Sequence, residues 1–263
     1  MKRLKNTAST QWDSVRNIVL PVSSVFLFFL LWELFVLITK TEAWILPAPH
    51  LVITEFFTGN FAFSDHIFPT LFEALTGLLL SVVVGVGFAI ILDSSDVLYR
   101  TFSPLLVVSQ TIPIIALAPL FIIWFGFGFV PKLLIVALVC FFPIAMNVIE
   151  GLRMVDKDML AMMKSVGASR YQLLVKLKLP FALPFFFTGL KISGTYAVMG
   201  AVISEWLGAS KGLGVTLTRA TQSFQTVRVF LIIVIIVLLS LTFYSSIQLA
   251  ARACMPWKHK QKK

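Results

Sequence analysis

Four ionisable side chains, Glu33, Glu73, Lys191 and Glu205, lie inside or at the edge of long apolar runs. A charged group at membrane depth is costly, so it is kept where it pairs, meets water, or handles an ion or solute. Other residue types that do chemistry are sparse. His50, His66 and His259 are scattered, and Cys140 and Cys254 form no pattern, so neither a metal site nor a disulfide is expected. No G-x-x-x-x-G-K-[ST] phosphate loop occurs, the nearest glycine cluster being Gly208, Gly212 and Gly214. The chain reads as a non-catalytic protein without a cofactor. Glu33, next to Trp32, either pairs with Lys191 or makes a buried structural contact. Glu73 falls about one turn into an apolar run, where it can snorkel. Glu205 opens a segment reaching Arg228 whose glycines permit a tight, partly re-entrant turn.

The elements that carry these groups follow from composition. Of the 263 residues, 58% are apolar and only 13% are charged, where a soluble chain would carry about a quarter charged. Mean hydropathy is +0.93. This is the composition of an integral membrane protein. A spanning helix needs roughly 20 apolar residues, and six stretches qualify, at 18–39, 68–92, 102–125, 131–150, 183–204 and 228–251. They must be helical, because lipid offers no partner to an open strand edge. The expected fold is all-α and polytopic, with six transmembrane helices. The first run is too long for a signal-peptide core and no small-x-small cleavage site follows it, so it reads as a retained helix.

Charge gives the expected orientation and the domains. With the N-terminus inside, 16 of the 22 Lys and Arg fall on the inner side and 5 on the outer, with Lys191 inside the fifth span. Both termini are therefore expected in the cytoplasm. Residues 1–17 form an N-terminal tail, 18–251 the transmembrane domain, and 252–263 a basic C-terminal tail. In the second span Gly77, Ser81 and Gly85 put a small residue at every fourth position, a stripe for close helix packing. In the third, Pro104, Pro113 and Pro119 remove backbone hydrogen bonds and bend the helix.

The cytoplasmic segment 151–182 carries Arg153, Lys157, Lys164, Arg170, Lys176 and Lys178, opposed by Asp156 and Asp158. Met154, Leu160, Met163 and Val166 recur at helical spacing. Gly167, Ala168 and Ser169 break the helix, a second short one starts at Arg170, Pro180 ends it and Pro184 begins the next span. A basic amphipathic lipid anchor is one reading of such a segment. The sharp small-residue turn at its middle favours a knob for a partner's cleft.

Gly167 followed after nine residues by Leu177-Lys178-Leu179-Pro180 resembles the coupling loop of bacterial ABC importer permeases. The resemblance covers roughly residues 30–257. It includes Leu46-Pro47-Ala48-Pro49, Thr70-Leu71, Ile112-Pro113, Trp124-Phe125-Gly126, Gly189-Leu190-Lys191, Glu205, Gly208-Ala209, Gly212-Leu213-Gly214 and Pro256-Trp257. The branch it is most similar to imports sulfonates, taurine, nitrate-like anions and thiamine-precursor pyrimidines. Two departures stand out. Ala161-Met162-Met163 replaces the family's Glu-Ala-Ala, and Glu73 stands where relatives carry a basic residue.

The resemblance implies a permease subunit of the bacterial inner membrane that meets two ATPase copies, an external solute-binding protein and a second permease copy, with no nucleic acid. The coupling interface would comprise Ala161, Lys164, Ser165, Gly167, Ala168, Ser169 and Arg170. The outer gate or receptor side would comprise Glu205, Gly208, Gly212 and Gly214. Uncharged polar groups in the third and fifth spans give pathway candidates, namely Gln110, Thr111, Ser193, Thr195, Tyr196 and Ser204, with Met199 beside them. Helix–helix bonding explains each of them equally well. The run from Thr195 to Gly208 looks most like permeases for thiamine-precursor pyrimidines of the hydroxymethylpyrimidine type. Sulfonate, taurine or riboflavin-like solutes are the alternatives, and an ion-coupled secondary transporter is the reading from another class. That last would need broken helices in repeated halves, and no internal repeat is found.

Overall fold

The computed structural model of the chain describes residues 2–59, 63–206 and 208–257. Met1, Leu207 and the basic run 258–263 lie outside the described residues. Every described regular element is helical. Among the described residues five helices are long and apolar enough to span a membrane, and a sixth span is counted if one bent pair of helices crosses as a unit.

The helices are α1 (Lys2–Thr39), α2 (Pro49–Thr58), α3 (Phe63–Asp93), α4 (Asp96–Ser109), α5 (Ile114–Phe125), α6 (Phe129–Arg153), α7 (Lys157–Ser165), α8 (Arg170–Leu173), α9 (Leu179–Glu205), α10 (Leu213–Gln222) and α11 (Thr226–Cys254), with a π-helical turn, Leu174–Lys178, between α8 and α9. They fall into two compact units, one of residues 1–61 with 219–232 and the other of 62–218 with 233–263.

In the larger unit α3, α6 and α9 pack around a common core that includes Leu78, Val136, Ile144, Val148, Val198 and Ala201. The Gly77-Ser81-Gly85 stripe explains the approach of α3 to α6. A Cβ at Gly77 would overlap Val136, one at Gly85 would press on Ile144 at 3.1 Å, and Ser81 Oγ donates to the Ala137 carbonyl at 2.8 Å. Small residues do the same work on α9, where a Cβ at Gly189 would meet the Pro143 carbonyl of α6 at 2.5 Å, and one at Gly194 would run into Ile247 of α11.

The smaller unit is tied by polar contacts. Glu33 accepts from the His50 backbone N–H and lies 2.6 Å from His50 Nδ1. Thr226 donates to the Trp44 carbonyl at 2.6 Å, and Arg228 reaches Glu55 at 3.1 Å. Glu33 thus makes a structural contact with His50, although a half-buried one rather than the buried contact expected.

Two sequence expectations are corrected. The third span is not one helix. α4 and α5 meet at 98° across a four-residue break, because Pro113 has no N–H to continue the ladder and disfavours helical backbone at Ile112. Pro104 and Pro119 sit inside α4 and α5 without ending them. Pro180, in turn, does not end the helix begun at Arg170. The chain is helical from Arg170 to Glu205. The π turn widens the ladder directly ahead of the proline, and the Leu179 N–H bonds to the Leu174 carbonyl. That offset accommodates a residue that would otherwise break an α-helix.

Candidate functional site

The loop between α6 and α9 is built by local rules. Asp156 caps α7 by accepting from the Asp158 N–H at 2.8 Å. Gly167 leaves the helix at φ +82, a conformation that a residue with a Cβ adopts only under strain. Ala168 N–H then closes on the Met163 carbonyl at 3.0 Å. Ser169 and Gln172 form a reciprocal capping box that starts α8. Ala161, Lys164, Ser165, Gly167, Ser169 and Arg170 are exposed and Ala168 is half-buried. The expected apolar face is split. Leu160 and Met163 are partly covered, whereas Met154, Met159, Met162 and Val166 are open, Val166 at 78%.

The loop is pinned at both ends by charges that sequence spacing did not reveal. Lys178, in the π turn, donates to both carboxylate oxygens of Asp93 at 2.9 and 2.8 Å. Arg153, at the end of α6, reaches Asp96 at 2.6 Å and stacks over the Tyr99 ring at 3.9 Å. Both carboxylates belong to the α3–α4 corner. Asp93 and Lys178 are 85 residues apart, and only the fold brings them together.

The other end of α9 holds a second node. Glu205 is fully buried. Thr70 Oγ1 donates to its Oε1 at 2.6 Å, and the Gly214 N–H donates to its Oε2 at 2.6 Å. The same Thr70 hydroxyl accepts from the Leu213 N–H at 3.0 Å, and the Gly212 N–H meets His66 Nδ1 at 3.3 Å. Glycine is required at 212 and 214 because a Cβ at either would run into the Glu205 side chain or the Val202 carbonyl; Gly212 also has φ +128. The turn into α10 is thus wrapped on one carboxyl group. Nearby on α3, Glu73 is buried and bonded to Lys132 at 2.7 Å. It does not snorkel, because a cation from α6 reaches it within the protein. Gly208 is exposed.

The pathway candidates separate into two sets. Ser193 and Ser204 are buried, Ser193 donating to the Cys140 carbonyl of α6 at 2.8 Å and Ser204 to Ala201 of its own helix at 2.7 Å. Thr195, Tyr196 and Met199 lie on the open face of α9. Thr188, Lys191, Ile192, Thr195 and Tyr196 there form a groove with Tyr244 of α11. Gln110 and Thr111 are exposed in the break between α4 and α5.

Residues 77–254 match the family described as binding-protein-dependent transport system inner membrane component. The chain is 36% identical to the formylaminopyrimidine transport permease protein ThiX of Halalkalibacterium halodurans, over 84% of this chain and 88% of that one. It is 31% identical to the riboflavin transport system permease protein RibX of Chloroflexus aurantiacus, over 97% of this chain and 95% of that one. Among solved structures, a chain of the MetNI methionine ABC transporter in an inward-facing conformation superposes with a TM-score of 0.63. The match covers 79% of this chain and 98% of that chain, at 20% identity, a likeness of fold. The chain belongs to the binding-protein-dependent transport inner-membrane family. It is a non-catalytic, multi-pass permease subunit of an ABC importer.

Proposed function

We propose that this permease imports a small thiamine-precursor pyrimidine of the hydroxymethylpyrimidine type, handed over by an external binding protein and driven by two copies of a separate ATPase. The observation that carries the substrate is the 36% identity, across most of both chains, to a permease named for formylaminopyrimidine. A flavin-like heterocycle is the second reading, on the relative named for riboflavin. Two copies of this chain would enclose the path, with the open faces of α9 and the α4–α5 break, including Gln110, Thr111, Thr195, Tyr196 and Met199, turned toward it. Both termini would lie in the cytoplasm, as the Lys and Arg bias argues.

The segment α7–α8 would seat in the ATPase. Its open Met159, Met162 and Val166 share one face of α7, flanked by Lys164 and Arg170, and the tight turn at Gly167 directly after them makes the segment a knob suited to a cleft, where a lipid anchor would need no such bend. Uptake of labelled pyrimidine, riboflavin and taurine by liposomes holding the complete complex tests the substrate. Pyrimidine import that is ATP-dependent and receptor-dependent is the expected result, and import of another solute alone sinks the assignment. Co-purification of the ATPase with the wild-type chain, and its loss with Gly167→Trp or Ala168→Trp, tests the docking. Equal recovery of all three would make the loop a lipid anchor.

A further inference from the structure

Lys191 sits near the middle of α9, twelve residues from Leu179 and fourteen from Glu205. At about 1.5 Å per residue that places it ~18 Å from one end and ~21 Å from the other, and an ammonium far from both ends of a spanning helix is costly. Three buried or half-buried carboxylates of the larger unit's spans have partners. Glu73 has Lys132, Asp93 has Lys178, and Glu205 is wrapped by Thr70 and Gly214. No carboxylate among the described residues pairs with Lys191. It projects from the open face of α9 into the groove it shares with Thr188, Thr195, Tyr196 and Tyr244. A cation in that position must face water or an electron-rich group, because neither lipid nor a dry interface would tolerate it. Its surroundings are two hydroxyl groups and two phenols, which accept and donate hydrogen bonds without supplying a counter-charge.

We propose that Lys191 is a substrate-contacting residue at the midpoint of the translocation path. Its ammonium donates to acceptor atoms of the passing solute, ring nitrogens or a carbonyl oxygen, while Tyr196 and Tyr244 offer faces to a flat ring. The inference rests on the import function proposed above and adds a selection rule to it. The groove favours acceptor-rich neutral or anionic solutes and opposes cationic ones. Hydrogen bonding to a single donor fits a heterocycle that carries several acceptors.

The test uses the complete complex of this chain with its ATPase and binding protein in liposomes. Lys191→Met should lower pyrimidine uptake at least 10-fold while ATPase co-purification stays at the wild-type level, and Lys191→Arg should restore most of it. A cysteine at the same position, Lys191→Cys in a Cys254→Ser background, should react with a water-soluble cationic thiol reagent, and pyrimidine should slow that reaction. Wild-type uptake by Lys191→Met, or loss of complex assembly in that variant, overturns the proposal, the second because it makes Lys191 a structural contact between subunits. An unreactive cysteine also overturns it, and that readout needs no knowledge of the solute. A wild-type complex that imports no pyrimidine while Lys191→Cys still reacts instead counts against the substrate assignment alone.

Discussion

Thr70→Val is the sharpest probe of the node at the end of α9. The substitution keeps the side-chain volume and the β-branch but removes one hydroxyl. That hydroxyl donates to Glu205 at 2.6 Å and accepts from the Leu213 N–H at 3.0 Å, in a position with no exposure. Valine therefore strands one buried carboxyl oxygen and one buried backbone N–H. Each unsatisfied group costs about 1–3 kcal/mol, so together they cost roughly 2–6 kcal/mol. For a chain of this size about 1 kcal/mol moves the midpoint by ~2–4 °C, which predicts a fall of at least ~4 °C. Thermal unfolding of the detergent-solubilised chain, followed by loss of the monodisperse peak, measures it. Thr70→Ser should recover most of the loss. Thr76→Val is the control, since Thr76 bonds only to carbonyls of its own helix, and it should stay within about 0.5 kcal/mol of wild type. A Thr70→Val midpoint within 2 °C of the control refutes the idea that Glu205 and the turn at Leu213 depend on that hydroxyl.

Asp93→Ala should destabilise the chain by about 3–5 kcal/mol, because it leaves the half-covered Lys178 ammonium with no counter-charge. The double variant Asp93→Leu with Lys178→Met should lose much less, as a chemical-denaturation or thermal series would reveal. Gly77→Val should separate α3 from α6 by forcing a side chain onto Val136, at about 1–3 kcal/mol; a stability equal to wild type would mean the two helices are not in close contact. Replacing Val175 and Lys176 by glycine loosens the π turn without touching the exposed tip at Gly167. ATPase co-purification should persist while transport falls at least 10-fold, and undiminished transport would show that α9 need not be rigid at its base.

How much of this was legible in the sequence depended on the range of the interaction. Span number, helical class and the loop's turn at Gly167 are local or compositional, and they could be read directly. The small stripe at Gly77, Ser81 and Gly85 announced its function by its period. The α4–α5 break was signalled by Pro113, but a proline says only that the ladder is interrupted. The 98° angle comes from packing. Pro180 misled because the local rule for proline does not include a π turn that absorbs it. The partners of Glu73, Glu205 and Lys178 lie 59, 135 and 85 residues away, and no spacing rule reaches that far. Gly212 and Gly214 did carry a signal. Two glycines shortly after an intramembrane carboxylate leave room for the side chain and free N–H groups to bind it.

The helix from Arg170 to Glu205 connects the two nodes mechanically. Its 36 residues span about 54 Å at 1.5 Å each, enough to run from one membrane face to the other. One end emerges from the capped turn at Ser169, and Lys178 fixes its base to Asp93 of α3. The far end carries Glu205, on which the turn into α10 is wrapped. Between them the open face presents Lys191, Thr195 and Tyr196. A displacement applied at the loop cannot be absorbed as bending along α9, since Gly189 and Gly194 lock it against α6 and α11 at close range. On the import function proposed above, it would tilt the helix together with α3 and α6, carrying the groove and the Glu205 turn with it. Such an arrangement would suit the proposed import, because loop motion on one side would then change access on the other without a chain of separate contacts to relay it. The broken α4–α5 pair is the element free to respond differently. It has a single short break, and Leu106 and Ala118 are its only buried apolar anchors among the described residues. On that proposal the rigid helix would move the Glu205 turn, and the broken pair would accommodate the movement.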